Sequence, residues 1–493
     1  MSLKQKSKLL MVGLDAAELS YIREHLSELP NFAQALDRGR LTELYSQVDL
    51  INGSVWPAFF TEKSPGDHGF HSTHMWDPSS MRLRRMIPRR LPIEPFWRDL
   101  ARQGVDVVAV DVPIAHTPPD GPGVEIAGWG THDGVSSFSA HPRWLKREIL
   151  RRFGRHPMGL EVPVRKSAAE RERIKRRMIK GASLRAELTK WLMTTQPWDL
   201  FLIVFHELHR AGHLLWPTND SINPELLLEV YRAVDRALGQ ILLAAQDEKS
   251  AIAIFALHGM GAYNSQDHFT QKILHRVNDR FIRSRTPGDP SRISRGSASR
   301  FNFVAALREI APPWLQNAIA LAVPQRARDL VVDRSVTYGH DWKHTPAIAL
   351  KSDRNGYIRL NIAGRERDGM LEAGSAQTHK YISDLCEGFL SYRVESGEPL
   401  VERVHLSSES APGVRTHLLP DIIVVWREAR SPAHWISSPL LGDIVADPDI
   451  GRSGHHRGKG FMVMLEPGKE GGIEERPESV TDLASIVRHA LLG

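Results

Sequence analysis

A single cysteine, Cys386, excludes an internal disulfide in this 493-residue chain. With no thiolate cluster to hold a structural zinc, any metal must be bound by histidine and carboxylate. No run approaches the ~20 uninterrupted apolar residues that span a bilayer, and the N-terminal residues lead into a strand pattern without a signal-peptide cleavage region. The expectation is a cytoplasmic protein with no membrane span. Aromatic residues make up only 7% of the chain, and none is interleaved in its arginine-rich core at 165–180, which argues against stacking on single-stranded nucleic acid.

Charge of one sign is also locally scarce. Residues 141–190 hold 16 Lys/Arg against 5 Asp/Glu in a chain whose total is +6, so the remainder is net negative. A run such as 171–177 reads as a solvated helical face, or as part of a cap that draws in an anion. The partner this implies is an anionic small molecule, phosphorylated or sulfated. We expect one domain over 1–493, with a basic helical insertion or cap at 140–195.

Apolar runs at 8–14, 105–112, 200–205 and 251–256 read as buried strands, and helical patterns at 21–29, 30–38, 142–195 and from 225 alternate with them. That order is the signature of a mostly parallel sheet in an α/β protein. Turn residues at 64–69 predict a loop, and the Ser, Arg, Pro and Gly of 283–300 predict a mobile one. Several strands end in potential ligands: Asp15 after the first, His209 and His213 after 200–205, and His258 after 251–256. Ligands at the carboxyl ends of parallel strands converge on one crevice. His209 and His213, four apart, share one helix face and can chelate a single cation.

The joint order of Val12-Gly13-Leu14-Asp15, Ser64-Pro65-Gly66-Asp67-His68-Gly69, His258-Gly259-Met260-Gly261, Gly356-Tyr357-Ile358-Arg359-Leu360-Asn361 and Leu419-Pro420-Asp421 resembles the alkaline phosphatase superfamily. Within it the chain is most similar to the type I phosphodiesterase and nucleotide pyrophosphatase branch. The resemblance implies a three-layer α/β/α sandwich and two neighbouring divalent cations, zinc first with manganese or iron as alternatives; the loss of carboxylates at 257 and 209 makes the expectation one or two ions. It also implies hydrolysis of a phosphodiester or phosphomonoester, or of a sulfate ester, through a covalent intermediate.

Carried over residue by residue, the resemblance makes Asp15 and His258 ligands of a nucleophile-side cation. It makes His209, His213 and His456 ligands of the other, with His455 as the fallback for His456. Two positions depart from the pattern: Leu257 stands where an aspartate is expected, and His209 replaces another. The nucleophile position falls on Asn52, an amide, so Ser54 is the nearest candidate for the attacking hydroxyl. Its alternatives are a helix-capping role for Ser54 and direct attack by hydroxide held at the three histidines. Leu257 and Asn52 also keep open a non-catalytic descendant that binds metal or anion and serves a regulatory role.

Overall fold

The first strand, Leu9–Leu14, is apolar at every position because both of its faces are covered. Leu10, Val12 and Leu14 enter one core, shared with the helices Pro30–Arg38, Ala168–Thr195 and Glu225–Gln246. Leu9 and Met11 enter a second core, shared with Val55–Thr61, Phe96–Arg102 and Leu483–Leu492. The two cores, one on each side of the sheet, make the three-layer α/β/α sandwich. The computed structural model describes residues 7–87, 94–132, 135, 137–159, 165–218, 222–246, 250–285, 322–352, 354–448, 451–466 and 477–492.

The sheet has eight strands in the order Arg40–Tyr45, Lys459–Leu465, Ala251–Ala256, Leu9–Leu14, Leu200–Phe205, Val107–Val110, Val124–Ala127 and Ser139–His141. The five from Ala251–Ala256 to Val124–Ala127 are parallel; Lys459–Leu465 and Ser139–His141 run against them, and Arg40–Tyr45, antiparallel to Lys459–Leu465, runs with them. Gly13 lies in the central strand where a Cβ would meet Phe255, Val204 and Trp56 at 3.1–3.2 Å, so glycine is what lets the layers close there.

The described residues of 140–195 include two helices, Trp144–Phe153 and Ala168–Thr195. Ser167 and Glu170 make a reciprocal capping box that starts the second. Ile174, Met178, Ala182 and Ala186 turn inward, while Arg173, Arg176, Arg177 and Lys180 are exposed, so the basic run is a solvated face over an apolar stripe. This helix lies against Glu225–Gln246 and leads into the Leu200–Phe205 strand, as an outer-layer crossover would.

Two features differ from the sequence pattern. The 64–69 segment is a four-residue helix, Pro65–His68, capped by Ser64 rather than a loop. A second, four-stranded antiparallel sheet joins Ala347–Leu350, Gly356–Leu360, Ile422–Trp426 and Val401–Leu406. There Arg359 and Arg365 both donate to Glu366 at 2.9 Å and Arg365 also to Asp421 at 2.8 Å, so these arginines brace the sheet. Of the loop expected at 283–300, residues 283–285 finish the Thr270–Arg285 helix and the rest lies outside the described residues. Among the described residues no helix is long and apolar enough to cross a membrane.

Candidate metal centre

Each central strand delivers a polar side chain at its carboxyl end. Asp15 follows Leu9–Leu14, is fully buried, and donates its backbone N–H to Phe205 O at 2.9 Å; Ala16 then takes the left-handed conformation at φ 59°, turning the chain away. His206 follows Leu200–Phe205, and the helix Glu207–Leu215 begins there and presents His209 and His213. His258 follows Ala251–Ala256 by way of Leu257, whose side chain is buried in the apolar core.

His456 arrives from far along the chain. Its strand, Gly454–Arg457, pairs antiparallel with Gly259–Ala262, placing Met260 opposite His456 and Gly261 opposite His455. Strand alternation sends the two histidines to opposite faces. His456 meets the other histidines, whereas His455 lies against Tyr263 with ring centroids 5.8 Å apart. The strand sits close to the Glu207–Leu215 helix because Gly454 has no side chain: a Cβ there would fall 2.3 Å from Gly212 O.

The result is a buried cluster. His213 Nε2 lies 3.1 Å from His456 Nε2, which lies 3.4 Å from His209 Nε2. On the far side of each ring is an oxygen: Gly454 O at 2.8 Å from His213 Nδ1, Asp15 Oδ2 at 2.9 Å from His209 Nδ1, and Asn52 Oδ1 against His456 Nδ1. Asp15 Oδ1 accepts from Trp56 Nε1 at 2.8 Å. His258 Nε2 stands 3.4 Å from Asp15 Oδ1, and its Nδ1 is 3.1 Å from Gly259 O.

Burial alone would raise the Asp15 pKa, but the electrostatic pull of His209 and hydrogen bonding from His132 and His209 hold it well below the usual carboxylate range. For His456, burial and then the neighbouring His258, His209 and His213 depress the pKa well below the ordinary value, with Asp15 opposing, so it stays neutral. A neutral imidazole is the ligating form.

Ser54 is placed differently from Asn52. The Ser54 hydroxyl is buried and donates to Ile51 O at 2.6 Å, in the turn that starts the Val55–Thr61 helix. Asn52 is the residue whose side chain reaches the histidines, while its backbone N–H donates to the Tyr357 hydroxyl at 3.0 Å. Glu207, at the start of the helix that bears His209 and His213, points away from them to Arg185 and to His156, which lies 3.1 Å from it.

Several site neighbours carried no motif. His132 stacks on His209 at 3.6 Å between centroids and lies 3.2 Å from Asp15 Oδ2. His206 links its Nδ1 to His132 Nδ1 at 2.9 Å and its Nε2 to Asp111 O at 2.6 Å. Asp111 holds the left-handed conformation (φ 52°) at the end of the Val107–Val110 strand, and its carboxylate accepts from the backbone of Trp129 and Gly130 at 2.9 and 2.8 Å. A strand-end aspartate is the one sequence signal that could have drawn attention to Asp111.

The turn bearing Asn52 rests on a buried histidine pair: a Cβ on Gly53 would fall 2.3 Å from His71 O, and nearby His68 accepts from Phe70 N at 3.0 Å. Burial, set against a raising contribution from Asp67, lowers the His68 pKa to about 4; burial and then Arg359 lower that of His71 to about 3. Both histidines are neutral in the fold, and in the unfolded chain both protonate near the ordinary ~6.5. The unfolded state therefore binds more protons below ~6.5, and this stability, complete above that value, is lost as pH falls through about 4 and about 3. The unfolding midpoint is expected to drop between pH 6.5 and 4, and His71→Phe to flatten that slope; an unchanged slope in the variant would count against His71.

A mostly parallel sheet in three layers gathers histidine and aspartate at the carboxyl ends of its strands, the arrangement that the resemblance to the alkaline phosphatase superfamily led us to expect. The sequence profile described as type I phosphodiesterase / nucleotide pyrophosphatase matches residues 9–453, and the chain belongs to that family of phosphoester hydrolases. Two solved structures share the fold at low identity. Phosphonoacetate hydrolase from Sinorhizobium meliloti 1021 in complex with phosphonoformate is 13% identical with a TM-score of 0.52, over 99% of this chain and 96% of that one. The same enzyme with phosphonoacetate is 14% identical with a TM-score of 0.51, over 99% and 96%. Murine ectonucleotide pyrophosphatase / phosphodiesterase 5 in complex with AMP is also similar, at 12% identity and a TM-score of 0.47, over 99% and 95%. No protein of curated function matches the chain in sequence.

Proposed function

We propose that this protein hydrolyses a small anionic phosphate ester at a divalent cation held by His209, His213 and His456. The observation that carries this reading is the meeting of three buried ring nitrogens within 3.1–3.4 Å steps, with each opposite nitrogen facing an oxygen. Three imidazoles fit zinc, with manganese or iron as alternatives. When bound, the cation supplies positive charge against phosphoryl oxygens and acidifies water.

The chain's own groups do the rest. Among the described residues Asp15 is the one carboxylate in contact with these histidines, so the cluster offers little negative charge to repel a phosphate. Layers of buried apolar side chains behind Trp56 and Leu257 exclude water from the inner wall. The Ser54 hydroxyl would have to leave Ile51 O to attack, so our reading assigns it to the turn rather than to bond formation. The choice of diester, monoester or sulfate ester is open to direct assay.

The test is turnover of nitrophenyl phosphate mono- and diesters and a nitrophenyl sulfate, with zinc, manganese or iron added, before and after chelation. Metal-dependent turnover that Ser54→Ala retains is the expected result. Turnover lost in Ser54→Ala with its cation still bound would return the attacking role to Ser54. A bound cation with no turnover on any ester would favour the binding descendant, which the amide of Asn52 and the apolar Leu257 also fit.

A further inference from the structure

We propose that this centre is built for one cation rather than two, with Asp15 and Asn52 acting as positioning residues that orient His209 and His456. The proposal rests on the cation reading above and concerns how many ions that site takes. The arrangement of the three rings is its first support. His213 donates from Nδ1 to Gly454 O and His456 from Nδ1 to Asn52 Oδ1, which leaves the Nε2 lone pair of each ring facing the other. His209 has the carboxylate of Asp15 2.9 Å from its Nδ1 and its Nε2 turned to His456. An oxygen behind each ligating imidazole sets its tautomer and orientation, and such partners characteristically govern metal affinity.

Crowding around Asp15 is the second support. One of its oxygens is taken by Trp56 Nε1 at 2.8 Å. The other faces His209, His132 and His206 nitrogens at 2.9, 3.2 and 3.5 Å. His206 gives its Nε2 proton to Asp111 O, so its Nδ1 is the acceptor and His132 Nδ1, 2.9 Å away, is the donor. A protonated nitrogen thus lies 3.2 Å from the Asp15 oxygen that a second cation would need.

Third, among the described residues the other group of possible ligands, Asp15, His132 and His209, shares His209 with the first, so a second cation would have to compete for it. Leu257 is fully buried and apolar, and of its neighbours His258 alone adds a ring nitrogen, 3.4 Å from Asp15 Oδ1. Two divalent ions side by side would share the single charge of Asp15, and their mutual repulsion would go largely uncompensated. The amide at position 52 fits the one-ion arrangement, because its carbonyl oxygen accepts from a neutral imidazole without adding charge.

Zinc bound per chain and its dissociation constant, measured by dialysis and elemental analysis on the full-length protein, test this independently of catalysis. Wild type is expected to hold one equivalent. Asp15→Asn and Asn52→Ala should still hold one, with affinity lowered by roughly 10- to 100-fold, the usual effect of losing such a partner. Asn52→Asp, which keeps an acceptor oxygen, should restore the affinity that Asn52→Ala loses. An unchanged unfolding midpoint of each zinc-free variant separates a positioning effect from damage to the fold. Two equivalents in wild type, falling to one in Asp15→Asn, would overturn the proposal while leaving the cation reading intact. Unchanged affinity in both variants would remove the positioning role, and zero equivalents in wild type would end the cation reading and this proposal with it.

Discussion

Replacing His213 by alanine is expected to strip the protein of its cation and to lower ester turnover by at least ~10³-fold, since a removed ligand costs more than a removed outer partner and the charge facing the phosphoryl group goes with it. His213 is held at ring and backbone: its Nδ1 is on Gly454 O at 2.8 Å, and its backbone O accepts from Ser453 N at 2.7 Å. The alanine leaves this backbone contact in place, so the fold should persist and the loss can be read as a loss of metal. Elemental analysis beside the nitrophenyl ester assay checks it. Full zinc content in His213→Ala would place the cation elsewhere.

The second large effect is expected at Arg185, a guanidinium with no solvent exposure, on the inner side of the Ala168–Thr195 helix. It donates to Asp111 Oδ2 at 2.9 Å, to Gly130 O at 2.9 Å and to Glu207 at 3.2 and 3.3 Å. Burial would raise the Glu207 pKa, but Arg185 and then His156 bring it down to about 2. Arg185→Met would leave two buried carboxylates without their cation, and removing one partner of such a buried set costs about 3–5 kcal/mol. The fall should appear as a lower denaturant midpoint with little change in slope. Adding Glu207→Gln should recover part of it by removing one unpaired charge. A stability within ~0.5 kcal/mol of wild type would show that water reaches these groups or that they protonate easily. Because Asp111 O also holds His206 beside Asp15, the variant should weaken cation binding as well.

Much of the fold was legible in the sequence because burial and backbone direction are local. The strands Leu9–Leu14, Leu200–Phe205 and Ala251–Ala256 are apolar at nearly every residue, as strands covered on both faces must be, and their order with the helices indicates the parallel sheet. The four-residue spacing of His209 and His213 places both on one helix face, and the position of Asp15 at a strand end points it into the crevice. The small antiparallel sheet was not legible. Its strands are short, and two of them, Gly356–Leu360 and Val401–Leu406, mix charged with apolar residues.

Sequence by itself determined the fold class, the family and which residue types could ligate, because periodicity and motif order survive without knowledge of contacts. Tertiary structure alone decided which atoms face which. Strand register with Gly259–Ala262 turns His456 rather than His455 toward the other histidines, and Asn52 rather than Ser54 reaches His456, through a side-chain contact spanning 404 residues. His132, His206, Asp111 and Arg185 belong to no motif and gather only when the layers pack. A ring nitrogen's role is set by the oxygen opposite it, and for His213 that oxygen lies 241 residues away, beyond the reach of any local pattern.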